Sequence, residues 1–212
     1  MHSPMDFHSI SRRMLVSVLA LALPGIALGT AIIPNVTATT NMGSLNPDTT
    51  PDKMVDGSGL TGANFTSFAG LHDDADQTGW KSVPGITEGF VTFNLGNLYE
   101  LDAFGVWNHP QLNGDRGVQD VLVEISTNGT DFTLLPGGPT RFARSMAPVS
   151  AEVFTFPAVA ASYVRFDIID GYGAVNTGLS EVRFSAADAP EPGGFLLLGA
   201  GLAGLLCYGR RR

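Results

Sequence analysis

Between residues 30 and 190 no stretch keeps a helical period for three turns, and the apolar residues instead alternate in short runs. Phe90-Val91-Thr92-Phe93-Asn94-Leu95 stops at Gly96-Asn97, a turn signal. Leu101 to Trp107 alternates with Phe104 and Val106 on one face. Val118 to Ser126 is the clearest strand, with Val121, Val123 and Ile125 on one face and Leu122 and Glu124 on the other. Asn128-Gly129 follows, and Phe132-Thr133-Leu134-Leu135 returns, the pattern of a hairpin whose turn tolerates positive φ. Pro136-Gly137-Gly138-Pro139 ends that pair. Val153 to Phe156, Tyr163 to Ile169 and Leu179 to Phe184 predict three more strands. Strands at roughly 8–12-residue spacing, divided by Gly, Pro and Asn turns, predict an all-β sandwich or barrel.

The two ends read differently. Arg12-Arg13 precede an apolar run from Met14 to Leu23, broken by Pro24-Gly25 and followed by the small residues Ala27, Gly29 and Ala31. This predicts a signal peptide over residues 1–31, with cleavage after Gly29 or after Ala31. At the other end Pro190-Glu191-Pro192 and Gly193-Gly194 lead into an apolar run, Phe195 to Tyr208, closed by Arg210-Arg211-Arg212. A transmembrane helix over 194–209 is expected, with the three arginines as a cytoplasmic stop. Each proline disfavours helix in the residue before it, so Pro190-Glu191-Pro192 is expected to be an extended, protease-accessible tripeptide. Residues 32–49, rich in Thr, Asn and Pro, read as an extended leader or an edge strand.

Composition narrows the chemistry. The only cysteine, Cys207, lies in the tail, so the exported body has neither a disulfide nor a nucleophilic thiol. The formal net charge is −8, and five of the twelve basic residues sit in the two end segments. A body this acidic argues against nucleic acid and is compatible with divalent cations and neutral sugars. His72 and His109 are the only histidines of the body, and no Gly-x-Ser-x-Gly is present. A single small sandwich also offers little cleft for paired carboxylates, so a non-catalytic protein is expected.

The order of motif, apolar run and basic end over Pro190–Arg212 resembles the PEP-CTERM sorting signal of exported Gram-negative proteins. That resemblance implies an inner-membrane intermediate, cut near Pro190–Pro192 by an exosortase after signal peptidase has acted on the other end. Inside the chain, Val55-Asp56-Gly57, Trp80, Val91 to Gly96, Leu101 to Trp107, Arg116 to Val121, Glu124 to Gly129, Ser162 to Phe166 and Leu179 to Val182 occur in sequence. This order resembles the discoidin, or coagulation factor 5/8 type C, domain over about residues 50–186. It implies a galactose-binding-like jelly-roll sandwich flanked by the signal helix and the transmembrane helix. The loop between Asp56-Gly57 and Trp80 is longer than the family's usual one.

The same resemblance implies a structural Ca²⁺ held by Asp56 and Glu181. Read alone, Asp56 is also a turn residue favoured before Gly, and Glu181 a carboxylate that pairs with an arginine such as Arg165. Asp74-x-Asp76-x-Thr78-Gly79 imitates the start of an EF-hand loop, but position 12 is Gly85, so a solvated acidic loop is expected. Trp80 and Trp107 read as core. Asn108, His109, Arg116 and Tyr172 fall in expected inter-strand loops and are the candidate ligand-binding residues. The function expected is an exported, surface- or matrix-sorted carbohydrate-binding module with polysaccharide as partner. A matrix-filling structural protein and a hydrolase with an unrecognised site are the alternatives.

Overall fold

The computed structural model describes residues 30–62 and 67–187. The signal peptide up to Gly29, Pro190-Glu191-Pro192, the span 194–209 and Arg210-Arg211-Arg212 lie outside these residues. The strands are β1 (Thr30–Ile32), β2 (Thr37–Thr40), β3 (Leu60–Thr61), β4 (Leu71–His72), β5 (Trp80–Lys81) and β6 (Gly89–Asn108). They continue with β7 (Val118–Ser126), β8 (Thr133–Leu134), β9 (Val149–Ser150), β10 (Glu152–Gly171) and β11 (Gly178–Ala187). One short 3₁₀ turn, Pro51–Met54, interrupts them. Among the described residues no helix is long and apolar enough to cross a membrane.

β6 and β10 organise the sandwich, and each is 20 residues long. The first half of β6 lies between β2 and the second half of β10, which passes the ladder on to β7 and β8. The second half of β6 lies between β11 and the first half of β10, and β11 also carries β1 and β5. Both long strands therefore cross from one layer to the other. The expected turn at Gly96-Asn97 is instead an internal bend of β6, where Gly96 takes φ 83 and the ladder resumes beyond it. On β10 the crossing shows as register slips between Thr155 and Val159 and between Ala161 and Tyr163. A bulge bends a strand without ending it, so two expected strands become one at each crossing.

Alternation puts Val91, Phe93, Val123, Val164, Phe166, Val182 and Phe184 inside. Their rings join the layers: Phe93 lies 5.1 Å from both Phe166 and Phe184, and Phe104 lies 5.4 Å from Phe166. Such tilted and edge-on pairs add to the apolar burial that a cysteine-free body depends on. Trp80 and Trp107 are fully buried, as expected, and their indole N–H groups donate to Gly43 O (2.8 Å) and Gly70 O (3.1 Å). The Asn128 side chain shapes the β7–β8 hairpin by accepting from the N–H groups of Thr130 and Asp131, both at 2.9 Å.

Candidate functional site

Four loops meet where β11 begins. The Gly178 N–H donates to Arg116 O (2.7 Å) and Leu179 pairs with Asn108, which seats the 109–117 loop on the start of that strand. The 172–177 loop lies beside it, with Tyr172 N–H donating to Gly117 O (3.2 Å) and Ala174 N–H to Asp115 O (3.1 Å). The Arg144 guanidinium binds Asn113 O (2.9 Å) and the Asp115 carboxylate, which brings in the segment before β9. Gln111 reaches the acidic loop, its Nε2 donating to Asp74 O and Asp76 Oδ1, each at 2.8 Å.

The acidic loop, the 109–117 loop and the segment before β9 line an open cleft of about 600 Å³. Asp74, Asp76, Gln111, Asn113 and Arg116 supply its polar lining, and Leu112 and Met146 its exposed apolar lining. Beneath it the Lys81 side chain is buried, and its Nζ donates to Asp76 O (2.7 Å) and Gln111 Oε1 (3.1 Å). Burial pulls the Lys81 pKa down. The Gln111 N–H and then Lys81 hold the Asp76 carboxyl below its ordinary value. His109 is buried beside them, with Nδ1 3.1 Å from Ser180 Oγ. Burial above all, with the Lys81 charge behind it, lowers its pKa to about 3, so the imidazole is neutral.

The four residues expected to face ligand divide. Arg116 lines the cleft. Asn108 and His109 are buried rather than exposed: the Asn108 amide is satisfied by Val118 and Ala143, and His109 Nδ1 meets Ser180 Oγ, while His109 Nε2 has no hydrogen-bond partner among the described residues. Tyr172 donates its hydroxyl to Phe142 O (2.7 Å) and stacks near Arg144, outside the cleft lining. Lys81 and Gln111 escaped the sequence reading. They are single polar residues thirty positions apart, in no motif, and only the fold brings them together.

Asp56 and Glu181 do converge across the first loop and the last strand. Glu181 Oε2 accepts from the Gly57 N–H (3.1 Å), and Oε1 from Arg183 Nε (3.2 Å), so its partner is Arg183 rather than Arg165. Arg165 instead lies 3.6 Å from Glu124. Asp56 accepts from Ser58 N–H (2.8 Å) and from Lys53 Nζ (2.9 Å). Each of these carboxylates is thus turned to N–H donors, one of them cationic, and among the described residues no third acidic, His or Cys ligand joins them. That donor set does not fit a Ca²⁺ ion, which needs six to eight oxygens.

Residues 35–181 match the F5/8 type C domain. Among solved structures, a Clostridium perfringens module, CpGH89CBM32-5, in complex with GalNAc-beta-1,3-galactose, is 18% identical. It superposes with a TM-score of 0.53 over 72% of this chain and 98% of that one. The family 32 carbohydrate-binding module of C. perfringens NanJ, in complex with galactose, is 13% identical. Its TM-score is 0.53 over 74% of this chain and 98% of the module. A C. perfringens family 89 glycoside hydrolase in complex with PUGNAc is 19% identical, with a TM-score of 0.51 over 76% of this chain. The match spans only 15% of that hydrolase's length. At these identities the likeness is one of fold. No curated protein matches the chain. The matched residues cover most of the sequence, and the chain belongs to the F5/8 type C domain family.

Proposed function

We propose that this chain is an exported, non-catalytic carbohydrate-binding module, and that the cleft at the start of β11 takes the sugar. The observation that carries the reading is the cleft's make-up: Arg116, Gln111, Asp74 and Asp76 beside exposed Leu112 and Met146. A sugar offers hydroxyls that both donate and accept, and an apolar ring face, and this lining answers both. Similar folds in complex with galactose and with GalNAc-beta-1,3-galactose support it. The end segments complete the proposal. Signal peptidase removes the first, an exosortase cuts the tail near Pro190–Pro192, and the domain is delivered to the cell surface or its polysaccharide matrix.

A glycan array probed with the full-length chain tests the binding claim. Binding to at least one glycan is expected, weakened about tenfold by Arg116→Met, which removes a charge-assisted donor. A chain that stays folded and binds no glycan would overturn the proposal.

A further inference from the structure

Resting on that reading of the cleft, we infer that the sugar it takes carries a carboxylate, so that the ligand is an acidic polysaccharide built on hexuronate units. The reason lies in how the arginines are paired. Among the described residues Arg141, Arg144, Arg165 and Arg183 each have a carboxylate partner: Asp120, Asp115, Glu124 and Glu181. Arg116 has none. Its side chain is half-buried on the cleft wall, and among the described residues only one of its five N–H donors, on Nη1, has a partner, the neutral Gln111 Oε1, while the buried Nε has none.

That oxygen is shared. Lys81 Nζ donates to it at 3.1 Å, so two cations converge on one amide oxygen. An amide carries only a partial charge, and the planar fork of an arginine matches a carboxylate far better. Asp76 does not fill the role. Its carboxylate accepts from Gln111 Nε2 (2.8 Å) and lies 3.5 Å from Lys81, and it makes no ion pair with Arg116, whose charge reaches it only as the weakest of its influences. A ligand carboxylate entering the cleft would take over Arg116, and rotation of Gln111 would open the way to Lys81. Leu112 and Met146 would cover the ring, and Asp74 would accept from its hydroxyls.

The test is affinity electrophoresis of the full-length chain in gels containing polygalacturonate or, for comparison, neutral galactan. Retardation by polygalacturonate should exceed that by galactan and should fade as salt is raised. Arg116→Met should weaken polygalacturonate binding about tenfold or more. Gln111→Glu should do the same, because it places a carboxylate between Lys81 and Arg116 from within, although it gives up the donor to Asp74 O and Asp76 Oδ1, so folding of this variant is checked by its circular dichroism. Full polygalacturonate affinity in a folded Gln111→Glu protein overturns the inference. Galactan bound as tightly as polygalacturonate overturns it too, yet leaves the carbohydrate-binding reading standing. Binding to neither polymer, nor to any arrayed glycan, removes both.

Discussion

The side chain of Asn108 pairs with the backbone of Val118 as a neighbouring strand would. Its Nδ2 donates to Val118 O (2.7 Å) while its Oδ1 accepts from Val118 N–H (2.9 Å). The same amide reaches Ala143 O (2.9 Å) and the His109 N–H (3.0 Å), so one buried residue ties three segments around the cleft. Asn108→Ala leaves four backbone groups unpartnered. We expect a loss of about 3–5 kcal/mol in urea denaturation, and a loss below about 1 kcal/mol would show that water replaces the amide.

His109 makes the fold acid-sensitive. Its pKa is lowered to about 3 in the folded chain from an ordinary 6.5. The unfolded chain therefore takes up a proton first, and stability present above pH 6.5 drains away as the pH falls toward 3. The amount is on the order of 5 kcal/mol. Burial acts oppositely on Glu181, raising its pKa from 4.5 to about 7 against the pull of Arg183, so its contribution is greatest below pH 4.5 and is lost as the pH rises through 7. Melting temperatures measured across this range should show His109→Gln with a shallower decline on the acid side than the wild type. An unchanged slope would place the acid sensitivity elsewhere.

Gly114 holds the cleft's shape. Its φ is +85, and a Cβ there would collide with the backbone carbonyl of Ser145. The other close atom is Arg144 Cγ (2.8 Å), near the root of its side chain, so Gly114→Ala should push the 109–117 loop off the segment before β9. The expected result is weaker glycan binding together with a stability loss of about 1–3 kcal/mol. Wild-type affinity in this variant would mean that the loop contact does not shape the site.

The processing sites can be read by mass. Thr30, Ala31 and Ile32 pair with Ala187, Ala186 and Ser185, so a cut after Ala31 would remove two of the three paired residues of β1. If the proposed export takes place, the processed chain is expected to begin at Thr30. Alanine at both Pro190 and Glu191 is expected to leave the C-terminal segment attached and the chain in the inner membrane. Normal release of that variant would contradict the proposed sorting role.

The sheet was legible because its strands alternate. Val118 to Ser126 emerges with the bounds that its residues predict. Gly96-Asn97 was misleading because a glycine at positive φ serves a bulge as well as a hairpin, and only the partner strand decides between them. Arg116 was visible as a loop cation. The burial of Asn108 and His109 was not, since it rests on acceptors and donors as far away as Ala143 and Ser180. Lys81 and Gln111 meet only through the β5–β11 pairing that brings residue 81 to the cleft floor.

β11 has the cleft at one end and the exit toward the tail at the other, with Gly178 bound to Arg116 O and Ala187 beside Thr30. At about 3.3 Å per residue the two ends stand roughly 30 Å apart. Tension applied between a ligand in the cleft and the chain beyond Ala187 would load β11 along its own axis. The strain would fall on its whole ladder with β6 in shear, all rungs at once, rather than unzipping them one by one. With polymer in the proposed cleft and the far end of β11 tethered, that strand would be both a wall of the sandwich and the cable that carries the load.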